Sequence, residues 1–192
     1  MLKQVLTLST LALMSVSMTG CSDSSIDVAK KARLGINPNV EVQQVFNQYV
    51  GCAKGSQEWD TEKVNGEKHV VFSCDDFAFT KSAEIVKSWV NEKKVNTKVL
   101  DVKKTNFKVY FVIHKDDTVT ITQVKREIAW KDGKKRDIFY TGGGVVSQIK
   151  PMYDNELNEL AQVVDRVMNP FTQGRAIQMV SGVFTELYNT AK

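Results

Sequence analysis

The chain has 192 residues, 42% of them hydrophobic and 25% charged. These globular proportions exclude wholesale disorder and a polytopic membrane protein, and the length is enough for one domain with a real core. Formal net charge is +4, spread among 26 basic and 22 acidic residues, which is too diffuse for a dedicated nucleic-acid binder.

Residues 1–20 read as a secretory signal. Lys3 supplies a short basic start, an apolar stretch runs from Val5 to Met18, and Thr19 and Gly20 are small. The stretch falls short of the run of about 20 apolar residues that a spanning helix needs. Met18-Thr19-Gly20-Cys21 resembles the lipobox of bacterial lipoproteins. That resemblance implies a diacylglycerol on the Cys21 thiol, cleavage before Cys21, and usually acylation of the new amino group. Two or three acyl chains anchor a protein stably where one binds only marginally. The second mature residue is Ser22 rather than Asp, which by the sorting rule of such lipoproteins favours the outer membrane. The mature domain then faces the periplasm; the inner membrane and the cell surface are the alternatives.

Residues 21–37 are expected to form a lipidated tether, since Ser22 to Asn39 is small, polar and basic. A short helix from Ser25 to Leu34, stopped by Gly35, is the alternative. With Cys21 acylated, Cys52 and Cys74 are left as an even pair in an oxidising compartment, which suggests one structural disulfide. Neither CxxC spacing nor a histidine cluster supports a zinc site or a redox pair.

Residues 38–192 read as one domain. Val42, Val45, Phe46 and Tyr49 recur at helical spacing, predicting a helix that ends near Gly51. Two extended runs, Glu58 to Val64 and His69 to Ser73, flank Asn65-Gly66, a strong hairpin signal. Thr80 to Lys94 carries Ala83, Val86 and Val90 on one face of a second helix, with Trp89 beside it. Asn96 to Val102 reads as extended. Phe107, Val109, Phe111 and Ile113 alternate as a half-buried strand does. Asp116-Asp117 marks a turn into Val119, Ile121, Val124, Ile128 and Trp130, where the alternation slips one step after Ile121 and so predicts a bulge. Asp132-Gly133 is a second hairpin signal, leading into Ile138-Phe139-Tyr140. Gly142-Gly143-Gly144 then precedes an expected extended piece, Val145 to Ile149. Pro151 and Asp154 are expected to open a helix bearing Leu157, Leu160, Ala161, Val164 and Val167, closed by Asn169-Pro170. A last helix carries Ile177, Val180, Phe184, Leu187 and Tyr188. The fold class is α+β: an antiparallel meander sheet with an N-terminal helix, two C-terminal helices and one disulfide. Tyr49 and Cys52, the hairpin closing with Phe72 and Cys74, and the run from Phe111 to Gly133 resemble a group of small exported bacterial lipoproteins over roughly residues 38 to 155. The shared motifs are structural and imply no activity.

Candidate chemistry is sparse. His69 and His114 are the available bases, no nucleophile elbow such as G-x-S-x-G accompanies them, and both read as surface residues. Asp75-Asp76 and Asp116-Asp117 lack the spacing of a calcium loop and read as turn formers. The three glycines at 142–144 lack the Lys-Ser/Thr of a phosphate loop. Lys131, Lys134, Lys135 and Arg136 cluster at a hairpin tip, a candidate contact for lipid headgroups or an acidic partner, with Lys93-Lys94 and Lys103-Lys104 as further basic pairs. Trp59, Trp89 and Trp130 read as core or groove walls. No catalytic residue, metal ligand or cofactor is identified. The expected role is a non-catalytic protein-interaction or envelope-assembly module with an envelope protein as partner. A small-ligand or lipid carrier, with a groove between the meander and the C-terminal helices, is the alternative.

Overall fold

The computed structural model describes residues 23–90, 96–167 and 170–192. The signal, Cys21, Ser22, Lys93-Lys94 and Asn169 lie outside these ranges. The fold is α+β. Five strands, β1 (Glu58–Val64), β2 (Glu67–Asp75), β3 (Val102–Ile113), β4 (Val119–Trp130) and β5 (Lys135–Tyr140), pair in sequence order as an antiparallel meander. Helices α1 (Ser24–Lys31) and α2 (Val42–Asn47) precede the sheet, and α3 (Phe77–Trp89) interrupts it. Helices α4 (Gly143–Tyr153), α5 (Glu159–Asp165) and α6 (Pro170–Asn189) follow it.

The turns form where residues able to adopt positive φ occur. Asn65 and Gly66 have φ of 52° and 88°, as a two-residue hairpin turn with the twist of its strands requires. Gly133, at 93°, performs the same service between β4 and β5. The expected bulge is present: Tyr110 pairs with Gln123 and Phe111 with Ile121, leaving Thr122 as the extra residue. Its hydroxyl donates to the Tyr110 carbonyl at 3.4 Å. The bulge restores the apolar alternation, so Val119 and Ile121 above it and Val124 and Ile128 below it lie on one face.

That face buries two clusters. In the first, Phe46 of α2 meets Phe72 edge-on, with ring centroids 5.0 Å apart, and Trp59 lies 5.2 Å from Phe72. In the second, Phe79 of α3 and Phe184 of α6 pack 5.0 Å apart near Ile128 and Trp130. The Trp130 indole N–H donates to the Val99 carbonyl at 2.8 Å. The opposite face is a ladder of charge: Lys108 lies 2.8 Å from Glu62, and Lys125 lies 2.6 Å from Glu127 and 2.9 Å from Asp137.

Several segments differ from the sequence reading. The stretch expected to be a slack tether is helical over Ser24–Lys31, and it buries Ala29 and Leu34 in the first cluster. A short helix therefore forms in place of the tether, because two apolar side chains gain burial that a solvated chain lacks, but it ends at Lys31 with Ala32 as its C-cap, short of the expected Leu34 and Gly35. Residues expected to be extended between Asn96 and Val102 include a 3-10 turn, Thr97–Leu100, whose Val99 and Leu100 are buried. Gly142 breaks β5 with φ of 54°, as a corner glycine should, but a helix follows rather than a strand. Val145, Ile149 and Met152 are spaced for a helical face and are all buried. Pro151 sits in the last turn of α4, where it lacks the N–H that would donate to the carbonyl one turn back, and the helix ends two residues later at Tyr153. A separate short helix, α5, starts from Asn158, whose side chain accepts the Ala161 amide at 3.0 Å. Helix α3 begins earlier than Thr80, at Phe77, because Asp76 accepts the Phe79 amide at 3.1 Å as its N-cap.

Candidate functional site

Cys52 and Cys74 form the expected disulfide, with Cα atoms 5.7 Å apart. It clamps the loop after α2 to the end of β2. Around it, the Ala53 amide donates to the Asp75 carbonyl at 2.9 Å and the Ala78 amide to the Gly51 carbonyl at 3.0 Å. The clamp therefore fixes Val50 beside the first turn of α3.

Beneath it lies an ion pair that sequence reasoning missed. The Arg126 Nε donates to Asp76 Oδ2 at 2.8 Å, and the two residues are only 5% and 3% exposed. Nη1 donates to the Tyr140 hydroxyl at 3.3 Å and to Gln148 Oε1 at 3.4 Å. The guanidinium lies 4.6 Å from the Phe79 ring centroid and 5.5 Å from that of Phe107, so it joins the two apolar clusters at their seam. Burial works most strongly against the arginine's charge, but the Asp76 carboxylate together with the Tyr140 and Tyr49 phenols outweighs it and raises the Arg126 pKa. Burial, reinforced by the nearby Asp76 carboxylate, likewise holds the Tyr49 phenol well above its ordinary value. One signal in the sequence pointed here: Arg126 occupies the core-facing slot between Val124 and Ile128, where the alternation calls for an apolar residue.

The clamp and the ion pair together support an open apolar groove of about 140 Å³ between α3 and α5. Val50, Phe77 and Ile85 line it from one direction and Leu157, Ala161 and Val164 from the other, with Lys81 and Asp165 as its charged residues. Phe77 is 49% exposed and Val50 47%, large apolar side chains left in water beside an apolar hollow. The Lys81 ammonium lies 5.3 Å from the Phe77 ring.

The other sequence-selected residues are scattered. Lys131 and Lys135 are exposed. Lys134 Nζ instead lies 4.0 Å from the Tyr188 ring, and Arg136 Nη1 donates to the Thr190 carbonyl at 3.4 Å. Half of the basic tip therefore braces the C-terminal end of α6, where cations are favoured by the helix dipole. His114 is exposed, and its Nε2 lies 3.0 Å from Thr120 Oγ1. His69 departs from its surface reading, being 7% exposed and edge-on to Tyr110. Asp116 and Asp117 are turn residues as expected, with Asp117 at φ of 61°. Asp75 stays at the surface against Lys104 at 2.7 Å, whereas Asp76 is the buried ion-pair partner rather than a simple turn former. Among the described residues no group of acidic, histidine or cysteine side chains is placed to hold a metal. Trp59 and Trp89 pack against the two clusters while partly exposed, and Trp130 is buried.

Comparison with known protein families, with curated proteins and with solved structures finds no match for this chain.

Proposed function

We propose that the chain is an outer-membrane-anchored periplasmic lipoprotein whose α+β domain serves as a non-catalytic protein-interaction module in the cell envelope. The lipobox-like Met18–Cys21 motif and the Cys52–Cys74 disulfide support the compartment. The α3–α5 groove carries the interaction reading. At about 140 Å³ it is near the size of a cavity that accepts one benzene ring, and well below the roughly 300–1,000 Å³ of ordinary ligand pockets. It suits the insertion of one apolar side chain from a partner protein, with Phe77 and Val50 covered as the contact closes. Lys131 and Lys135 offer a second contact, for acidic side chains of the same partner.

Photocrosslinking in living cells from a reactive residue at position 85, followed by mass spectrometry, tests this. One dominant envelope protein, lost on Phe77→Asp while the domain stays folded, is the expected result. Crosslinks to lipid or small molecules alone would overturn it. Fractionation of Cys21→Ser cells tests the anchor, which predicts release of the chain from the membrane.

A further inference from the structure

The placement of α1 bears on how such a domain stands on its membrane. Asp23 caps α1, accepting the Ser25 amide at 3.1 Å and the Ser25 hydroxyl at 2.6 Å, and it pairs with Lys68. Asp23, two residues after Cys21, is therefore tied into the folded domain, and two residues of chain reach at most about 7 Å. A slack tether of residues 21–37 would have let the domain tumble over the bilayer, whereas a segment whose helix buries Ala29, and which buries Leu34 just beyond it, cannot.

The start of α1 lies at a defined end of the sheet. Ser24, Ser25 and Val28 share one hollow with Lys68, Ile113 and Asp117. Because adjacent strands run in opposite directions, the β1–β2 turn at Asn65-Gly66 and the β3–β4 turn at residues 114–118 lie together at this end. The β4–β5 tip with Lys131 lies at the other, as does the start of α3 after β2. Strands β3 and β4 are 12 residues each. At about 3.3 Å per residue they separate the two ends by roughly 35–40 Å.

We infer that the lipid on Cys21 seats the sheet end bearing residues 65–66 and 114–118 on the bilayer and directs the Lys131 tip and the Phe77 groove away from it. The inference rests on the lipoprotein reading above. It assigns the basic tip to a partner in the periplasmic space and removes the headgroups of the anchoring leaflet as its ligand. Charge does not set this orientation: near the anchor Lys63, Lys68 and Lys115 are matched by Glu67, Asp116 and Asp117, whereas the net-positive far tip, with Lys131, Lys134, Lys135 and Arg136 against Asp132, would be drawn to anionic headgroups if the anchor let it reach them.

The test uses the full lipidated chain, purified from membranes and reconstituted in vesicles containing nitroxide-headgroup lipid. Mass spectrometry first establishes the acyl mass on Cys21; its absence defeats the lipoprotein reading and this inference with it. On acylated protein, a fluorophore at Lys115→Cys should be quenched several-fold more than one at Lys131→Cys. Both are exposed turn positions, and the native thiols are blocked by lipid and disulfide. Equal or reversed quenching overturns the orientation while leaving the anchor standing. Inserting a 20-residue Gly-Ser linker between Cys21 and Asp23 should collapse the difference, since such a chain spans roughly 25 Å. A difference that survives the linker intact would overturn the short-anchor argument.

Discussion

Removing either partner of the Arg126–Asp76 pair strands the other charge in the core. Arg126→Met fills similar volume but leaves the Asp76 carboxylate buried at the seam of the two clusters, with the Phe79 amide as a remaining donor. Breaking a buried pair in this way costs about 3–5 kcal/mol. Asp76→Ala leaves a buried guanidinium facing only Tyr140 and Gln148, and it also removes the α3 cap, which adds about 1 kcal/mol. Domains of this size are stable by about 5–15 kcal/mol, so either change removes a large fraction of the total. Made together, the two substitutions remove both charges, and the double variant should be at least about 2 kcal/mol more stable than the summed single losses predict. Urea unfolding followed by tryptophan fluorescence measures all three variants, with Trp130 reporting on the cluster nearest α3 and α6. The reasoning is refuted if Arg126→Met costs less than about 1 kcal/mol, or if the two losses add to within about 0.5 kcal/mol.

Four other outcomes follow from the same geometry. Reducing Cys52–Cys74, which are separated by 22 positions, should lower stability by about 3 kcal/mol in the chain-entropy account and free Val50 from α3, seen as faster amide exchange at residues 50–53. Gly66→Ala forces a side chain into φ of 88° and should cost about 1–2 kcal/mol in thermal unfolding, whereas Gly35→Ala, at an open position without positive φ, should cost far less. Burial, with the Glu62 carboxylate beside it, pushes the Tyr110 phenol up to about 12. Because the folded value is the higher one, its contribution to stability is complete below pH 10 and lost as pH rises through about 12; ultraviolet titration of Tyr110→Phe should lose one tyrosine's share of the late component, to which the buried Tyr49 and half-buried Tyr153 also contribute. The Lys68 ammonium and the Ser25 donors hold the Asp23 carboxyl down near 2. Its contribution is present above the ordinary value of 3.8 and lost as pH falls through about 2, and carboxyl NMR of Lys68→Ala should show it return toward 3.8.

Local chemistry made much of the architecture readable in advance. Asn65-Gly66 and Asp132-Gly133 specify turns through their own φ preferences, and strict alternation from Phe107 to Ile113 marks a one-sided strand without knowledge of its neighbours. The slip between Ile121 and Val124 located the bulge, since a single inserted residue is the means by which a strand returns its apolar set to one face. The cysteine pairing followed from counting, once Cys21 was set aside for lipid. Where neighbouring elements decide the outcome, the reading failed. Asp76 looked like one of two turn carboxylates until α3 and β4 placed it against Arg126. His69 read as a surface residue until Tyr110 covered it across the strands. Val145 to Ile149 fits either an extended or a helical pattern, and only the cluster it meets selects the helix. The stretch from Ser24 to Leu34 is polar enough to be a tether, yet Ala29 and Leu34 find a core ready to receive them. Period and turn chemistry are properties of a few consecutive residues; burial, charge pairing and grooves belong to elements brought together from distant parts of the chain, and those only the tertiary structure decides.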